Sequence, residues 1–282
     1  MKKNLQWRVI VSVGIIGLFF LVGVYPLLAA KFSLPSPAWL QAMHLKLGLD
    51  LKGGVQLVLR VNTDDALKAS TTTSMPPDEI HEMGRSELQG LHAQMDRILK
   101  EIGYAQGTVG ERMKALAKDP RYKFAEGDKG RAEIMAFINN RLEWIRAQMP
   151  RAFNKLVTPN MEVKRLPPEE EPGAPGAYGG AGSIDGKIPG RYWINLRTTD
   201  LHSKYSLADL TFHEAIPGHI WQGEYTHEMP LIRQMLAFNA YSEGWALYAE
   251  QLADELGAYA DDRVGRLGYL QSLAFRACRL VV

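Results

Sequence analysis

The feature that most constrains how this chain can fold is an uncharged run near its N-terminus, Val9–Ala30. The run is about 22 residues long and would measure roughly 33 Å as an α-helix, enough to cross the hydrocarbon core of a bilayer. Lys2, Lys3 and Arg8 precede it, and a basic flank of this kind stays in the cytoplasm. We therefore predict one N-terminal transmembrane helix within residues 1–30, with the main domain on the far side of the membrane.

A cleaved signal peptide is the alternative interpretation of this run, because small residues stand at Ala29 and Ala30. The apolar segment of a signal peptide usually has about 7–15 residues, and the run in this chain is longer. A retained anchor is therefore the favoured interpretation. No second apolar stretch of spanning length follows in the sequence, which predicts a single-pass protein.

A glycine pair, Gly53-Gly54, opens a segment in which every second residue is apolar, which predicts a half-buried strand. This region reads LGLDLKGGVQLVLRV and is followed by TDDAL. Together with the basic start and the single apolar run, it resembles the N-terminus of SecD, a membrane subunit of the bacterial protein translocase. The resemblance covers residues 1–68, of which 31–68 form a linker and strand. It implies the bacterial inner membrane, a periplasmic main domain and translocase components as partners.

From residue 69 to residue 282 the sequence predicts a domain that is mainly α with a small β component. Apolar residues recur there at helical spacing, and prolines and glycines mark the ends of the segments. The predicted elements are a helix from Pro77 to Gly103, a helix from Val109 to Pro120, a helix from Gly130 to Pro150, a loop over 172–190, a strand over Tyr192–Leu196 and helices from Ser206 onward.

Charge and cysteine content exclude two classes of site. The net charge is +2 and no long basic run is present, so nothing indicates a nucleic-acid partner. The only cysteine is Cys278, which excludes an internal disulfide and a cysteine-rich metal site. Any metal must therefore be held by histidines and carboxylates, which is typical of catalytic rather than structural zinc.

A His-Glu pair at His213 and Glu214 is the strongest chemical signal in the chain. In many zinc peptidases one histidine binds the metal and the adjacent glutamate takes a proton from metal-bound water. The common motif places the second histidine four positions on, where this chain has Pro217. His219 lies six positions on, roughly 240° round a regular helix. A break at Pro217 and Gly218 would bring both histidines to one metal.

A carboxylate for the same site is available further along the chain. Glu243 and Glu250 are seven positions apart, on one face of a predicted helix. We expect Glu243 to be buried, and a buried carboxylate needs a metal or another partner. Two histidines and one glutamate with a water form a recurring zinc set, which makes Glu243 the third candidate ligand. Glu250 would then hydrogen-bond one of the ligands.

Spacing alone does not decide between a metal site and a chance pair. His-Glu pairs also occur at 81–82 and 227–228, where we expect ordinary surface residues. His202 and His227 remain competing ligands.

Five segments carry a second resemblance: TTTSMPPDEIHEMG, GYAQGTVGERM, PGRYWINLR, FHEAIPGH and SEGWALYAEQLADELG. Over residues 66–282 they resemble the C-terminal half of domain-of-unknown-function family 885, whose members are regarded as zinc metallopeptidases. The resemblance implies a gluzincin-like helical domain that hydrolyses peptide bonds. It implies Zn²⁺ bound by His213, His219 and Glu243, with Glu214 as the general base that activates a zinc-bound water.

The resemblance also bears on the neighbours of this site. Many members have a histidine where this chain has Ile220, which favours His219 as the ligand here. Tyr192, Asn195 and Arg197 stand on the preceding strand and would bind the backbone or carboxylate of a peptide substrate. A plain strand with a solvated arginine explains the same residues equally well.

The two resemblances meet near residue 68 and predict a chimera of two gene fragments. The N-terminal helices of the second family and a further C-terminal segment have no counterpart here, so we expect an incomplete domain. Three hypotheses follow: a membrane-anchored zinc metallopeptidase, a SecD-like translocase fragment and an inactive fusion remnant.

Overall fold

The computed structural model describes residues 75–230, 232, 234 and 238–281, and this part is mainly α-helical with a small sheet. The predicted mainly α fold with a small β component is therefore confirmed. The anchor, the linker and the strand predicted for residues 1–68 lie outside the described residues. Within the described ranges, no helix has the length and apolar character needed to cross a membrane.

The first half of the described chain contains helices α1 (Pro77–Glu101), α2 (Val109–Lys118) and α3 (Gly127–Gln148). The predicted bounds of α1 and α2 agree closely with these. Helix α3 begins before Gly130, where the sequence placed its start. Gly130 instead lies inside the first turn, where a Cβ atom would stand 1.6 Å from the carbonyl oxygen of Ala125. It is a packing glycine and does not mark the helix boundary.

The sheet contains strands β1 (Met161–Arg165), β2 (Ala177–Gly180) and β3 (Gly190–Ile194) in the order β1-β3-β2. Strand β3 runs parallel to β1 and antiparallel to β2. The prediction of a loop over 172–190 was wrong, because β2 lies inside it. The strand is rich in glycine, which is typical of a loop and gives no strand signal. Gly179 is nevertheless required there, because a Cβ atom on it would lie 2.1 Å from the carbonyl oxygen of Glu214.

The C-terminal part is helical, as predicted, with helices α4 (Leu207–Glu214), α5 (His219–Thr226), α6 (Asn239–Glu255) and α7 (Arg263–Arg279). Helix α4 is the centre of the domain. It contacts α3, α6, α7 and β2, and every residue in it except Leu210 is buried. A helix buried on nearly all sides must place its polar side chains against partners.

Helices α1 and α7 pack along each other and join the two ends of the described domain. Gly84 lies buried where the two helices come closest. A Cβ atom there would stand 2.7 Å from the Cβ of Leu280 and 2.8 Å from the carbonyl oxygen of Ala277. The close packing of the two helices therefore requires glycine at this position.

We expect Gly84→Ala to lower the free energy of unfolding by about 1–3 kcal/mol, because the added methyl forces α1 away from α7. Gly90 is the matched control, since it lies on the same helix with open space around its Cβ position. Gly90→Ala should raise the free energy of unfolding by roughly 0.5–1 kcal/mol through helix propensity. Chemical denaturation of both variants measures the difference, and changes of equal sign would contradict this packing.

Candidate metal centre

A tight turn joins α4 to α5 and brings two histidines together. Helix α4 ends at Glu214 and α5 starts at His219, so the predicted break between the histidines is confirmed. The peptide bond before Pro217 is cis. A Cβ atom on Gly218 would lie 1.7 Å from the carbonyl oxygen of His213, so the turn closes only with glycine at this position. The imidazole rings of His213 and His219 stand 4.8 Å apart between centroids and 86° apart in plane.

The carboxylate of Glu243 bridges these two rings from helix α6. One oxygen lies 3.5 Å from Nε2 of His213 and the other lies 3.6 Å from Nε2 of His219. One ligand atom from each of the three residues falls within 4.8 Å of the others. Tetrahedral ligands at about 2.0–2.1 Å from zinc lie roughly 3.4 Å apart. The donor types and the two distances from Glu243 to the histidines therefore suit a divalent ion such as zinc, and the limit of 4.8 Å for the whole set is wider than this ideal.

Exposure differs sharply between the three side chains. The side chain of His213 is 6% exposed, whereas that of Glu243 is 61% exposed. The expectation that Glu243 is buried was therefore wrong, because its helix meets the centre at the solvent surface. The centre is closed behind His213 and open beside Glu243, which leaves room for a water or a substrate group.

A buried hydrogen bond fixes the orientation of His213. Its Nδ1 lies 2.6 Å from Oε1 of Glu250, a residue with no exposed surface. A neutral imidazole that donates from Nδ1 to this carboxylate directs the lone pair of Nε2 toward Glu243. Glu250 also accepts from the Ser272 hydroxyl at 3.2 Å and pairs with Arg276 at 3.2 Å. The predicted contact between Glu250 and a candidate ligand is present.

Asp209 is a further acidic residue near His213 and Glu250, and the sequence analysis did not single it out. It is buried on α4, one helical turn before His213. Burial raises the pKa of Asp209 well above its usual range, and the nearby charge of Glu250 adds to this effect. The signal in the sequence was its spacing of four from His213, which places both on one helix face.

Glu214 occupies the end of α4 against strand β2. Its Oε2 accepts a hydrogen bond of 2.8 Å from the backbone N–H of Gly179. Burial raises the pKa of this carboxyl to about 7. Burial also lowers the pKa of His219, which favours its neutral form. A carboxyl group of this kind exchanges protons readily near neutral pH.

The three predicted substrate residues do not line the cavity at this centre. Tyr192 is fully buried because it alternates inward on β3. Asn195 is 1% exposed, and its amide donates to the carbonyl of Glu171 at 2.8 Å. Arg197 is exposed, with its guanidinium 3.5 Å from the carbonyl of Pro172. In this position Tyr192 packs in the domain core, and Asn195 stabilises the loop before β2.

The two competing histidines make other contacts, although His227 lines the same cavity as His219 and Glu243. His202 is buried and lies 2.7 Å from the carbonyl oxygen of Asn195 through Nε2. His227 approaches Glu224 at 3.7 Å at the far end of α5. Among the described residues, neither joins the group formed by His213, His219 and Glu243.

The fold and the converging side chains define a mainly helical domain with a candidate metal centre. The family described as "Bacterial protein of unknown function (DUF885)" matches residues 64–282, and the chain belongs to this family. Residues 42–65 match the SecD/SecF GG motif. Both matches fall on the segments that resembled these families in sequence. A search of curated proteins found no match.

Two solved structures share the fold. The first, described as a putative lipoprotein from Colwellia psychrerythraea, is 42% identical with a TM-score of 0.75 and covers 78% of this chain. The second, a putative lipoprotein of unknown function from Shewanella oneidensis, is 19% identical with a TM-score of 0.60 and covers 77% of this chain. The alignments take in 38% and 41% of those proteins, so this chain spans less than half of either.

We expect Gly218→Ala to destabilise the domain by about 1–3 kcal/mol or more, because a methyl group cannot fit beside the carbonyl of His213. Gly244 is the matched control, since it follows Glu243 directly and has open space at its Cβ position. Gly244→Ala should leave stability unchanged or raise it by up to about 1 kcal/mol. Thermal unfolding followed by near-ultraviolet circular dichroism measures both effects, and an unperturbed Gly218→Ala variant would contradict the turn geometry.

Proposed function

We propose that this domain is a zinc-dependent peptidase in which His213, His219 and Glu243 hold the ion and Glu214 acts as general base. One observation carries the proposal. Two imidazole Nε2 atoms face the two oxygens of one carboxylate, while the Nδ1 of His213 is tied to buried Glu250. A histidine fixed in this way, with a carboxylate behind it, is the usual arrangement of a catalytic metal ligand.

The metal ligands and Glu214 have different roles in the proposed hydrolysis of a peptide bond. His213, His219 and Glu243 would hold a zinc ion, which would lower the pKa of a bound water and polarise a substrate carbonyl. The N–H of Gly179 orients the carboxylate of Glu214, which accepts the proton from the attacking water and returns it to the leaving amine. The exposed side of Glu243 leaves an approach for an extended peptide.

The proposed location is the periplasmic face of the bacterial inner membrane, with residues 1–30 as the anchor. Two observations support it. The uncharged run Val9–Ala30 follows a basic start, and the 42% identical structure is described as a putative lipoprotein. A peptide would be the substrate, and the membrane would be contacted through the N-terminal segment.

A second candidate function is that of a SecD-like translocase fragment, which the GG-motif match over residues 42–65 favours. The candidate metal centre lies wholly within residues 64–282, which match the other family. An inactive fusion remnant is the third possibility. Metal content and peptide turnover separate the three.

We expect the purified chain to bind one zinc ion and His213→Ala to lose it, because the substitution removes the most deeply buried ligand. His81→Ala is the control, since His81 also precedes a glutamate but lies on α1. Glu250→Gln should weaken zinc affinity about 10–100-fold by disturbing the orientation of His213. Elemental analysis and competition with a chelator measure both, and equal zinc in wild type and His213→Ala would refute the centre.

We expect Glu214→Gln to retain zinc but to lose peptide hydrolysis by at least about 100-fold, the usual contribution of a general base. Glu82→Gln is the control, because Glu82 also follows a histidine and is exposed on α1. Hydrolysis of a quenched fluorescent peptide library gives the rates. If the zinc-loaded wild type turned over no peptide, the inactive remnant would replace the peptidase as the conclusion.

A further inference from the structure

An aromatic cavity of about 450 Å³ lies beside α5. Its walls include Phe153, Trp221, Tyr225 and Trp245. The rings of Trp221 and Trp245 stack at 5.7 Å and 9°, and those of Trp221 and Tyr225 stack at 5.4 Å and 26°. Together these rings form an apolar wall that suits another planar or bulky apolar group.

Two hydrogen-bond donors at this cavity have no acceptor among the described residues. They are Nε2 of Gln222 and Nε1 of Trp221, and both atoms are buried. A buried donor without an acceptor costs about 1–3 kcal/mol, so such groups usually mark a missing partner. Both residues line the cavity, and rotation of the partly exposed Gln222 side chain would present its amide N–H to a carbonyl oxygen of a bound peptide.

The charges around the cavity favour an uncharged occupant. Among the described residues of its wall, Lys155 is the one cation, and its ammonium group is already paired with Glu228 and lies 6.0 Å from the centre of the Tyr225 ring. The hydroxyl of Thr226 donates to the backbone carbonyl of Gln222 at 2.7 Å. Most of the remaining lining is aromatic or otherwise apolar, so an apolar side chain gains more there than a charged one.

The cavity adjoins the one at the metal centre along α5. Gln222, Thr226 and Tyr241 line both this cavity and a neighbouring cavity of about 530 Å³ that His219 and Glu243 also line. The rise from His219 to Tyr225 is roughly 9 Å on a helix. An extended peptide advances about 3.3–3.6 Å per residue, so a side chain in the aromatic cavity belongs within two or three residues of the centre.

We propose that the aromatic cavity binds a large apolar side chain of a peptide, preferably an aromatic one, while Gln222 donates to a carbonyl of the same peptide. This proposal rests on the proposed peptidase function for its role in catalysis, since it places substrate selection next to the metal ligands. The binding itself depends only on the cavity and can be measured without hydrolysis.

The test compares two blocked tripeptides, acetyl-Ala-Phe-Ala-amide and acetyl-Ala-Ala-Ala-amide, added to the full chain with and without zinc. Tryptophan fluorescence reports binding because Trp221 and Trp245 form the cavity wall. We expect the phenylalanine peptide to bind at least about tenfold more tightly, as for other apolar pockets. Where hydrolysis occurs, the same preference should appear in kcat/KM.

Two pairs of variants distinguish peptide binding in the cavity from nonspecific effects of a substitution. Ala152 is exposed and lines the cavity, so Ala152→Phe should fill it and abolish the preference, whereas Ala93→Phe on α1 should not. Gln222→Leu should weaken both peptides equally, because it removes a backbone contact, whereas Gln89→Leu on α1 should change neither.

Equal affinity for the two peptides, a preference that survives Ala152→Phe, or no binding of either peptide would overturn the proposal. The result of this binding test is independent of the result of the test for peptidase activity. A chain that binds no zinc and cleaves nothing, yet prefers the phenylalanine peptide through this cavity, would refute the proposed function and support the aromatic site.

Discussion

The buried carboxylate of Glu250 is the constraint on which the centre of this domain depends. A carboxylate with no exposed surface must be compensated by hydrogen bonds or opposite charge. Helix α4 supplies His213, and helix α7 supplies Ser272 and Arg276. These contacts join three helices at one residue and at the same time orient an imidazole toward the surface. Packing of the domain and geometry of the candidate metal centre thus rest on one set of hydrogen bonds.

The break after α4 is the second element of this arrangement. A continuous helix would carry His219 to the far side of its axis from His213. Ending α4 at Glu214 and restarting at His219 turns the second ring back toward the first. Trp245 secures the turn from α6, because its indole N–H donates to the carbonyl of Pro217 at 2.8 Å. The same indole stacks on Trp221, so the aromatic cavity and the metal centre share their supports.

Much of the helical layout could be predicted from the sequence, because apolar spacing and flanking prolines are local signals. The His213–His219 break was also predictable, since Pro217 and Gly218 disfavour a regular helix. Strand β2 was not predictable, because Gly179 is required by the nearby carbonyl of Glu214, which is distant in sequence. The exposure of Glu243 was missed for a similar reason. Helical periodicity gives the face on which a residue lies, but the depth at which that face meets the core depends on neighbouring helices.

The residues that build the centre come from a nearly continuous stretch of chain. Helices α4 to α7 occupy residues 207–279 and provide both histidines, both glutamates of the pair at 243 and 250, and the Ser272–Arg276 support. The closure entropy of the loops between them is small, since it grows only slowly with the number of intervening residues. Because one stretch of chain carries the candidate ligands together with the hydrogen bonds that orient His213, any rearrangement that moves this stretch as a whole would move all of them together.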